Sequence, residues 1–277
     1  MNKDIKVYTP ESSITKPRVL LGEMWKDLLQ SRDLAWRLAV RDFSALYRQS
    51  LLGVLWVFIL PLANTITWIF LRSSGVVAVA DTDVPYPVYV FTGTMIWSIF
   101  TESVQAPLQK VTASKNLLTK INFPREALLL SSFYQLLFNS AVKVILMLVA
   151  MLALGYNFVD YTFALFPLAI ISMILCGMAI GLLLTPIGLL YTDIGKGLPI
   201  VMQFLMYLSP VVFPIPKEGW IATFISYNPL TPLVVTSRAW LTGNPTAFLQ
   251  GFLEVNLGLM AVLFFGWVLY RAAMPIL

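Results

Sequence analysis

Residues 163–190 read FALFPLAIISMILCGMAIGLLLTPIGLL, twenty-eight positions without one charged side chain. A helix needs about 20 mostly apolar residues to cross the hydrocarbon core of a bilayer, and this stretch exceeds that length. Outward from it, comparable runs fall at about 51–71, 86–107, 128–154, 199–216 and 248–270. The whole chain agrees: of 277 residues, 58% are hydrophobic and 12% charged, with a mean hydropathy of +0.78. A soluble domain carries about 25% charged residues, so polar surface is too scarce here to coat a water-soluble globule. The expected fold is an all-α integral membrane protein with six transmembrane helices.

Missing residue types narrow the chemistry. The chain has no histidine, which removes Ser–His hydrolysis, His-based metal sites and the usual general base near neutral pH. Its single cysteine, Cys176, lies within the 163–190 run, so neither a disulfide framework nor a cysteine-cluster metal site is expected. Gly195-Lys196 lacks the upstream glycine of a phosphate-binding loop and is followed by Gly197 in place of Ser or Thr. Whatever energy drives this protein is therefore not expected to be harvested from ATP by this chain, and no metal or cofactor is expected within it. The first fifty residues are polar and charged, without the apolar core of a cleavable secretory signal.

The placement of Lys and Arg sets the direction of the spans. Fifteen of the nineteen fall before the first span, in the second-to-third and fourth-to-fifth connections, and after the sixth span. Arg72, Lys217 and Arg238 fall on the opposite side, and Lys143 within a span. The fifteen mark the cytoplasmic side and put both termini there. Read this way, the net charge of +5 is a topology signal, and no nucleic-acid partner is expected. Residues 1–30 read as a cytoplasmic segment, 31–50 as an amphipathic helix and 51–277 as the six-span domain. On a helical wheel Asp33, Arg37, Arg41, Ser44 and Arg48 share one face, while Leu38, Ala39, Val40, Phe43, Leu46 and Tyr47 cover the opposite arc. Such a helix either lies flat at the cytoplasmic interface with its basic side toward lipid phosphates, or packs as a cytoplasmic helix. Fifty residues build a core of their own with difficulty, which favours the interface.

Two connections depart from a plain bundle. Lys115-Asn116-Leu117-Leu118-Thr119-Lys120-Ile121-Asn122-Phe123-Pro124-Arg125-Glu126 mixes apolar with basic side chains in a segment that must leave the membrane. Pro124 breaks a helix and disfavours helical geometry at Phe123, so a short helix and a sharp bend are expected. Leu117, Leu118, Ile121 and Phe123 then either dip into the interface or meet a partner. The second region is 213–247, where the apolar pieces Trp220–Tyr227 and Leu233–Leu241 flank Asn228-Pro229-Leu230-Thr231-Pro232. Neither piece is long enough to cross. They form either a re-entrant helical hairpin between spans five and six, closing an outer mouth, or an amphipathic hairpin on the outer surface.

Within the spans, Glu102, Lys143 and Glu254 sit on different helices at different apparent depths, and no relay emerges. Gly177 and Gly181 form a GxxxG that permits close helix approach within or between subunits. Aromatic residues are plentiful, and sugar rings stack on aromatic faces while their hydroxyls need polar neighbours, which the second span supplies. Tyr86, Trp97, Glu102, Tyr134, Lys143 and Tyr207 are the candidate channel-lining residues.

Four stretches together resemble the membrane subunit of bacterial polysaccharide-exporting ABC transporters, the O-antigen and teichoic-acid permease family. Arg41-Asp42-Phe43 through Tyr47-Arg48-Gln49-Ser50-Leu51-Leu52-Gly53-Val54-Leu55-Trp56, with Pro61, is similar to the family's approach to its first span. Asn116–Lys120 with Phe123-Pro124-Arg125-Glu126 resembles its cytoplasmic loop, Tyr191-Thr192-Asp193-Ile194 its second cytoplasmic turn, and Tyr227–Pro232 its outer re-entrant segment. The chain departs from the pattern at Thr192, where arginine is usual, and at Leu129, often proline.

The resemblance implies a homodimer in the bacterial inner membrane, paired with two copies of a separate ATPase that binds ATP and Mg. It implies that Asn116, Leu117, Leu118, Lys120, Phe123, Pro124, Arg125, Glu126 and Asp193 meet that ATPase, with Leu117, Leu118 and Phe123 packing and Lys120, Arg125 and Glu126 making polar contacts. Arg37, Arg41 and Arg48 would admit a lipid-diphosphate head group. Tyr227, Asn228, Pro229, Pro232 and Arg238 would form the outer gate. The leading expectation is export of a lipid-linked polysaccharide by a chain that is not itself an enzyme. The competing ones are an ABC exporter of a drug or small lipid, and an integral-membrane glycosyltransferase. The latter needs a paired or well-placed loop acid, whereas Asp81, Asp83, Asp160 and Asp193 are scattered on both sides.

Overall fold

A computed structural model describes residues 17–48, 55–77, 79–115, 124–156, 160–216 and 218–274, and these are helices joined by turns. Two short N-terminal helices, α1 (Pro17–Gln30) and α2 (Arg32–Arg48), precede α3 (Trp56–Ser73), α4 (Tyr86–Ala113) and α5 (Glu126–Ala153). A 3-10 turn, Tyr161–Leu165, runs directly into α6 (Phe166–Leu190), followed by α7 (Thr192–Tyr207), α8 (Trp220–Tyr227), α9 (Leu230–Thr242) and α10 (Leu249–Ala273). Among the described residues three helical stretches are long and apolar enough to cross a membrane: Glu126–Ala153, Tyr161–Leu190 and Leu249–Ala273.

The uncharged 163–190 run becomes the axis of the bundle. Two thirds of its apolar window is buried (67%), against 28% for α5 and 17% for α10, so α6 faces protein where the others face outward. Glycine makes that enclosure possible. A Cβ on Gly177 would stand 2.5 Å from Ser103 Cβ and 2.8 Å from the Phe100 carbonyl, one on Gly181 would collide with the Val104 carbonyl, and one on Gly188 would meet Leu108 at 2.6 Å. The GxxxG thus packs α6 onto α4 inside one chain. On the other side Gly266 of α10 approaches Leu182 and Ala179, at 3.2 Å and 3.3 Å from a notional Cβ.

Named contacts fix the helix directions. Thr65 meets Thr94 and Arg72 lies over the Tyr86 ring, so α3 and α4 are antiparallel. Lys110 reaches Gln135 while Glu102 reaches Lys143, so α4 and α5 are antiparallel as well. Ser172 bonds Asn256 and Leu182 neighbours Gly266, so α6 and α10 are parallel. The glycine contacts make α6 parallel to α4. Gly195 lies near Leu108 and Tyr89 bonds the Pro210 carbonyl, which sets α7 antiparallel to α4. Asp27, Asp42, Lys110, Glu126 and Arg271 therefore share one end of the bundle, and Arg72, Tyr86, Tyr156, Pro210 and Arg238 the other.

Several boundaries differ from the sequence reading. The helix expected over 86–107 runs on through Pro107 to Ala113, because Lys110 in its last turn is bonded to Asp42 of α2. The one expected over 199–216 is displaced toward the N-terminus, to Thr192–Tyr207. It starts early because Asp193 in its first turn suits the helix dipole, and it ends where Ser209 and Pro210 begin a turn. Within the segment 1–30, for which the sequence reading assigned no element, residues 17–30 form α1, with Leu20 and Met24 buried.

α2 lies along α5, with Phe43 edge-on to Phe138 at 4.0 Å and Trp36 edge-on to Tyr134 at 5.9 Å. Leu38 joins Val111, Ala127, Leu128, Leu129, Leu182, Tyr270 and Met274 in a small apolar cluster at the end where Arg37, Arg41, Lys110, Arg125 and Arg271 lie, the basic end of the bundle. α8 and α9 span about 12 and 20 Å at 1.5 Å per residue, too short to cross. They differ sharply in burial: α9 is enclosed almost throughout by α4, α6 and α10, while Trp220 and Tyr227 at the ends of α8 are 77% and 84% exposed. Gly243, at φ +73°, ends α9 against Asp160 in the left-handed conformation that glycine adopts without strain.

Candidate functional site

Thr94, Ser98, Glu102, Gln105 and Gln109 recur on α4 every three or four residues, and helical geometry aligns them on one face. With Trp97, that face borders a cleft of about 400 Å³ whose other walls are Leu60, Pro61 and Asn64 of α3 and Pro199, Met202, Gln203 and Met206 of α7. Hydroxyl, amide and carboxylate groups are thus arrayed along a helix in a chain that is mostly apolar. Facing lipid, such groups would be costly; facing a hydrated or sugar-filled space, they are satisfied.

Glu102 anchors the wall. Its Oε1 accepts from Asn139 Nδ2 at 2.5 Å and its Oε2 from Lys143 Nζ at 2.7 Å, both from α5. This corrects the expectation that the ionisable residues of the spans stand apart. Asn139 and Lys143 are one turn apart on α5, and that spacing carries both to the same carboxylate. The Lys143 side chain is 7% exposed and that of Glu102 33%, so the ammonium sits behind the wall and the carboxylate shows at its surface. Glu254 is separate, exposed on α10 and bonded to Gln250 at 2.8 Å.

The remaining channel candidates divide. Trp97 borders the cleft, with Phe100 at 5.2 Å behind it. Tyr207 stands beside it, its hydroxyl accepting from the lining residue Gln203 at 2.8 Å. Tyr86 and Tyr134 do not border it: Tyr86 is buried under Arg72, 4.4 Å from its ring centroid, and Tyr134 lies between α5 and α2 against Trp36. Their rings are occupied by neighbours inside the chain.

At the opposite end from the basic cluster, Arg238 of α9 is buried. Its guanidinium donates to the Pro210 carbonyl at 3.1 Å and the Val211 carbonyl at 2.7 Å, and lies 3.7 Å above the Tyr89 ring. Tyr89 in turn donates to the Phe213 carbonyl at 3.1 Å. Asn228 ties α8 to the same turn through the Leu208 carbonyl and Ser209, both at 3.1 Å, and caps Leu230 N–H at 2.9 Å. Pro232 is buried against Gly251, whereas Pro229 and Tyr227 are exposed. A cavity of about 220 Å³ lies here, bordered by Asp81, Asp83, Tyr89, Arg238 and Asn244.

At the basic end, Arg271 joins three elements: its guanidinium contacts Glu126 at 2.6 Å and Asp27 at 2.7 Å, with the Glu126 side chain fully buried. Glu126, expected to face a partner, is therefore engaged inside the chain. Pro124 and Arg125 are half-buried, and Asp193 is exposed. Asn116, Leu117, Leu118, Lys120 and Phe123 lie outside the described residues, as does the side chain of Arg48. Arg37 and Arg41 are exposed, Arg41 bonded to Asp42 at 2.7 Å. Burial works to raise the Asp42 carboxyl, but the Arg41 and Lys110 bonds outweigh it and hold the group below the ordinary carboxylate range.

Sequence reasoning missed Asn64, Gln105, Gln109 and Gln203 as wall residues, although the helical period from Ser98 to Gln109 was present to be read. It also missed Arg271 as the partner of Glu126, for which a separation of 145 positions leaves no local signal.

A polar wall within an apolar helical bundle defines a membrane transport protein, and comparison with known families agrees. The ABC-2 type transporter family matches residues 33–241, and the chain belongs to it. Among curated relatives, the O-antigen export system permease protein RfbA of Myxococcus xanthus is 27% identical over 218 residues, covering 77% of this chain and 82% of that protein. The polysialic acid transport protein KpsM of Escherichia coli is 26% identical over 253 residues, 84% of this chain and 91% of its own length. An O-antigen export permease RfbA of Klebsiella pneumoniae is 24% identical over 213 residues, 74% and 79% of the two chains.

Proposed function

We propose that this chain is the membrane subunit of an ABC transporter that exports a lipid-linked polysaccharide across the bacterial cytoplasmic membrane. The observation that carries the reading is the similarity, over most of both chains, to permeases named for O-antigen export and polysialic acid transport. The polar face of α4 supports it, because a hydrated sugar chain needs hydrogen-bonding partners where lipid offers none. In this reading α3, α4, α5, α6, α7 and α10 are six spans with the basic end in the cytoplasm, where both termini lie. The alternating helix directions and the Lys and Arg distribution support that orientation.

Two copies pair so that their clefts form one conduit. A separate ATPase, also in two copies and holding ATP and Mg, drives it through the loop 116–125 and Asp193, while Glu126 secures the start of α5 from inside. α8 and α9 form the re-entrant outer closure, pinned by Arg238. Arg37, Arg41 and Arg48 on α2 receive the diphosphate of the lipid carrier. Deletion of the gene tests the reading: surface polysaccharide disappears and is restored by the intact chain. Surface glycan that persists at wild-type levels overturns it.

A further inference from the structure

One relative is named for polysialic acid, which carries a carboxylate on every sugar, and the walls of this chain bear on whether so charged a cargo fits it. Among the described residues bordering the cleft none is Lys or Arg, and of these Glu102 alone carries a formal charge. Lys143 is consumed behind it, and the groups that face the space are Thr94, Ser98, Gln105, Gln109 and Gln203 with the Trp97 ring. Hydroxyls and amides donate to and accept from sugar hydroxyls and acetamido groups, and an aromatic ring covers the apolar face of a sugar. A polyanionic chain would meet the negative end of the Glu102–Lys143 pair, because the ammonium that balances the carboxylate lies behind it and no described lysine or arginine borders the cleft to receive the charge of the chain itself. A second copy of the chain across the cleft brings the same lining: another Glu102 and no described cation.

The outer cavity repeats the pattern independently. It is bordered by the exposed Asp81 and Asp83, while Arg238, the cation among its described lining residues, is turned onto the carbonyls of Pro210 and Val211 and the ring of Tyr89. Arg72 at that end is likewise held over Tyr86, 4.0 Å from Asp81.

We infer that the conduit is selective for an uncharged glycan, rich in hydroxyl or acetamido groups, with Glu102 and the α4 amides as the residues that discriminate against polyanionic chains. This rests on the polysaccharide-export reading above. The test uses the chain purified with its ATPase in lipid nanodiscs. ATP hydrolysis is measured with two probes of equal length on the same polyprenyl diphosphate, one an oligosaccharide of neutral N-acetylhexosamines and the other of uronic acids. The neutral probe stimulates hydrolysis at least about fivefold more than the acidic one. In Gln105→Lys, which adds a cation to the wall one turn from Glu102, the acidic probe gains and the gap narrows at least about threefold. Equal stimulation by both probes in the wild-type chain, or a Gln105→Lys gap that does not narrow, overturns the charge selectivity and leaves export standing. Stimulation by neither probe overturns the export reading itself.

Discussion

The ammonium of Lys143 lies 2.7 Å from Oε2 of Glu102, yet the two side chains are unequally placed, one 7% and the other 33% exposed. The asymmetry makes their single removals unequal. Glu102→Ala strands a buried ammonium and is expected to cost about 3–5 kcal/mol. Lys143→Met leaves a carboxylate that the cleft still hydrates and that Asn139 still bonds, so the loss is smaller. The double variant Glu102→Gln/Lys143→Met recovers most of the stability. Thermal unfolding of the four proteins in one detergent checks the order, and a Lys143→Met loss equal to that of Glu102→Ala contradicts it.

The α4–α6 seam depends on missing side chains. Gly181→Leu forces a side chain into the Val104 carbonyl and Pro107, a backbone obstacle that cannot rotate away. Overpacking of this kind costs about 1–3 kcal/mol or more, and the expected result is loss of the monodisperse peak in size-exclusion chromatography. Gly258→Leu on α10 is the control, since a Cβ there meets nothing within 4 Å and the protein stays intact.

Arg271 holds two carboxylates from different helices, one on each terminal nitrogen of a rigid fork. Arg271→Met leaves Asp27 and Glu126 buried side by side without a cation, and an expected loss of about 3–5 kcal/mol follows. Arg271→Lys recovers only part, because a single ammonium cannot span both partners. Limited proteolysis between α1 and α2 reads the release of α1, which should be fastest in Arg271→Met.

The Asp42–Lys110 contact ties α2 to the end of α4 at 2.5 Å. Since the folded chain holds the Asp42 carboxyl below its ordinary value, the folded state binds fewer protons than the unfolded one near that pH. Its contribution is complete above the unfolded value and is lost as pH falls through the folded one. The gap in melting temperature between wild type and Asp42→Asn is therefore present at neutral pH and closes on acidification from about pH 5 to about pH 3. A gap that widens on acidification contradicts the assignment.

The helices were legible where physics acts locally. The uncharged 163–190 run, the Trp220–Tyr227 piece and the amphipathic 31–50 segment all appear as helices because length and apolar content are properties of adjacent residues. The span read over about 86–107 stops short of the end of α4 at Ala113, where Asp42 holds Lys110 of the last turn from a distant part of the chain. Glu102, Trp97 and Lys143 stand out in the sequence by residue type alone, but that Glu102 and Lys143 pair, and that Tyr86 and Tyr134 turn away from the cleft, depends on how α4 meets α5 and α3. Arg238 falls on the outer side by the order of the spans; its embrace of the Pro210 and Val211 carbonyls is a tertiary fact without a local signature.

The most direct measurement places the chain and its ATPase in sealed vesicles with a fluorescent lipid-linked oligosaccharide on the outer, ATP-accessible leaflet. Loss of the label to an external glycosidase is followed before and after ATP. The account requires that ATP make the glycan inaccessible at a rate that vanishes when either protein is omitted. Transfer by this chain without the ATPase, or none with both present, contradicts it.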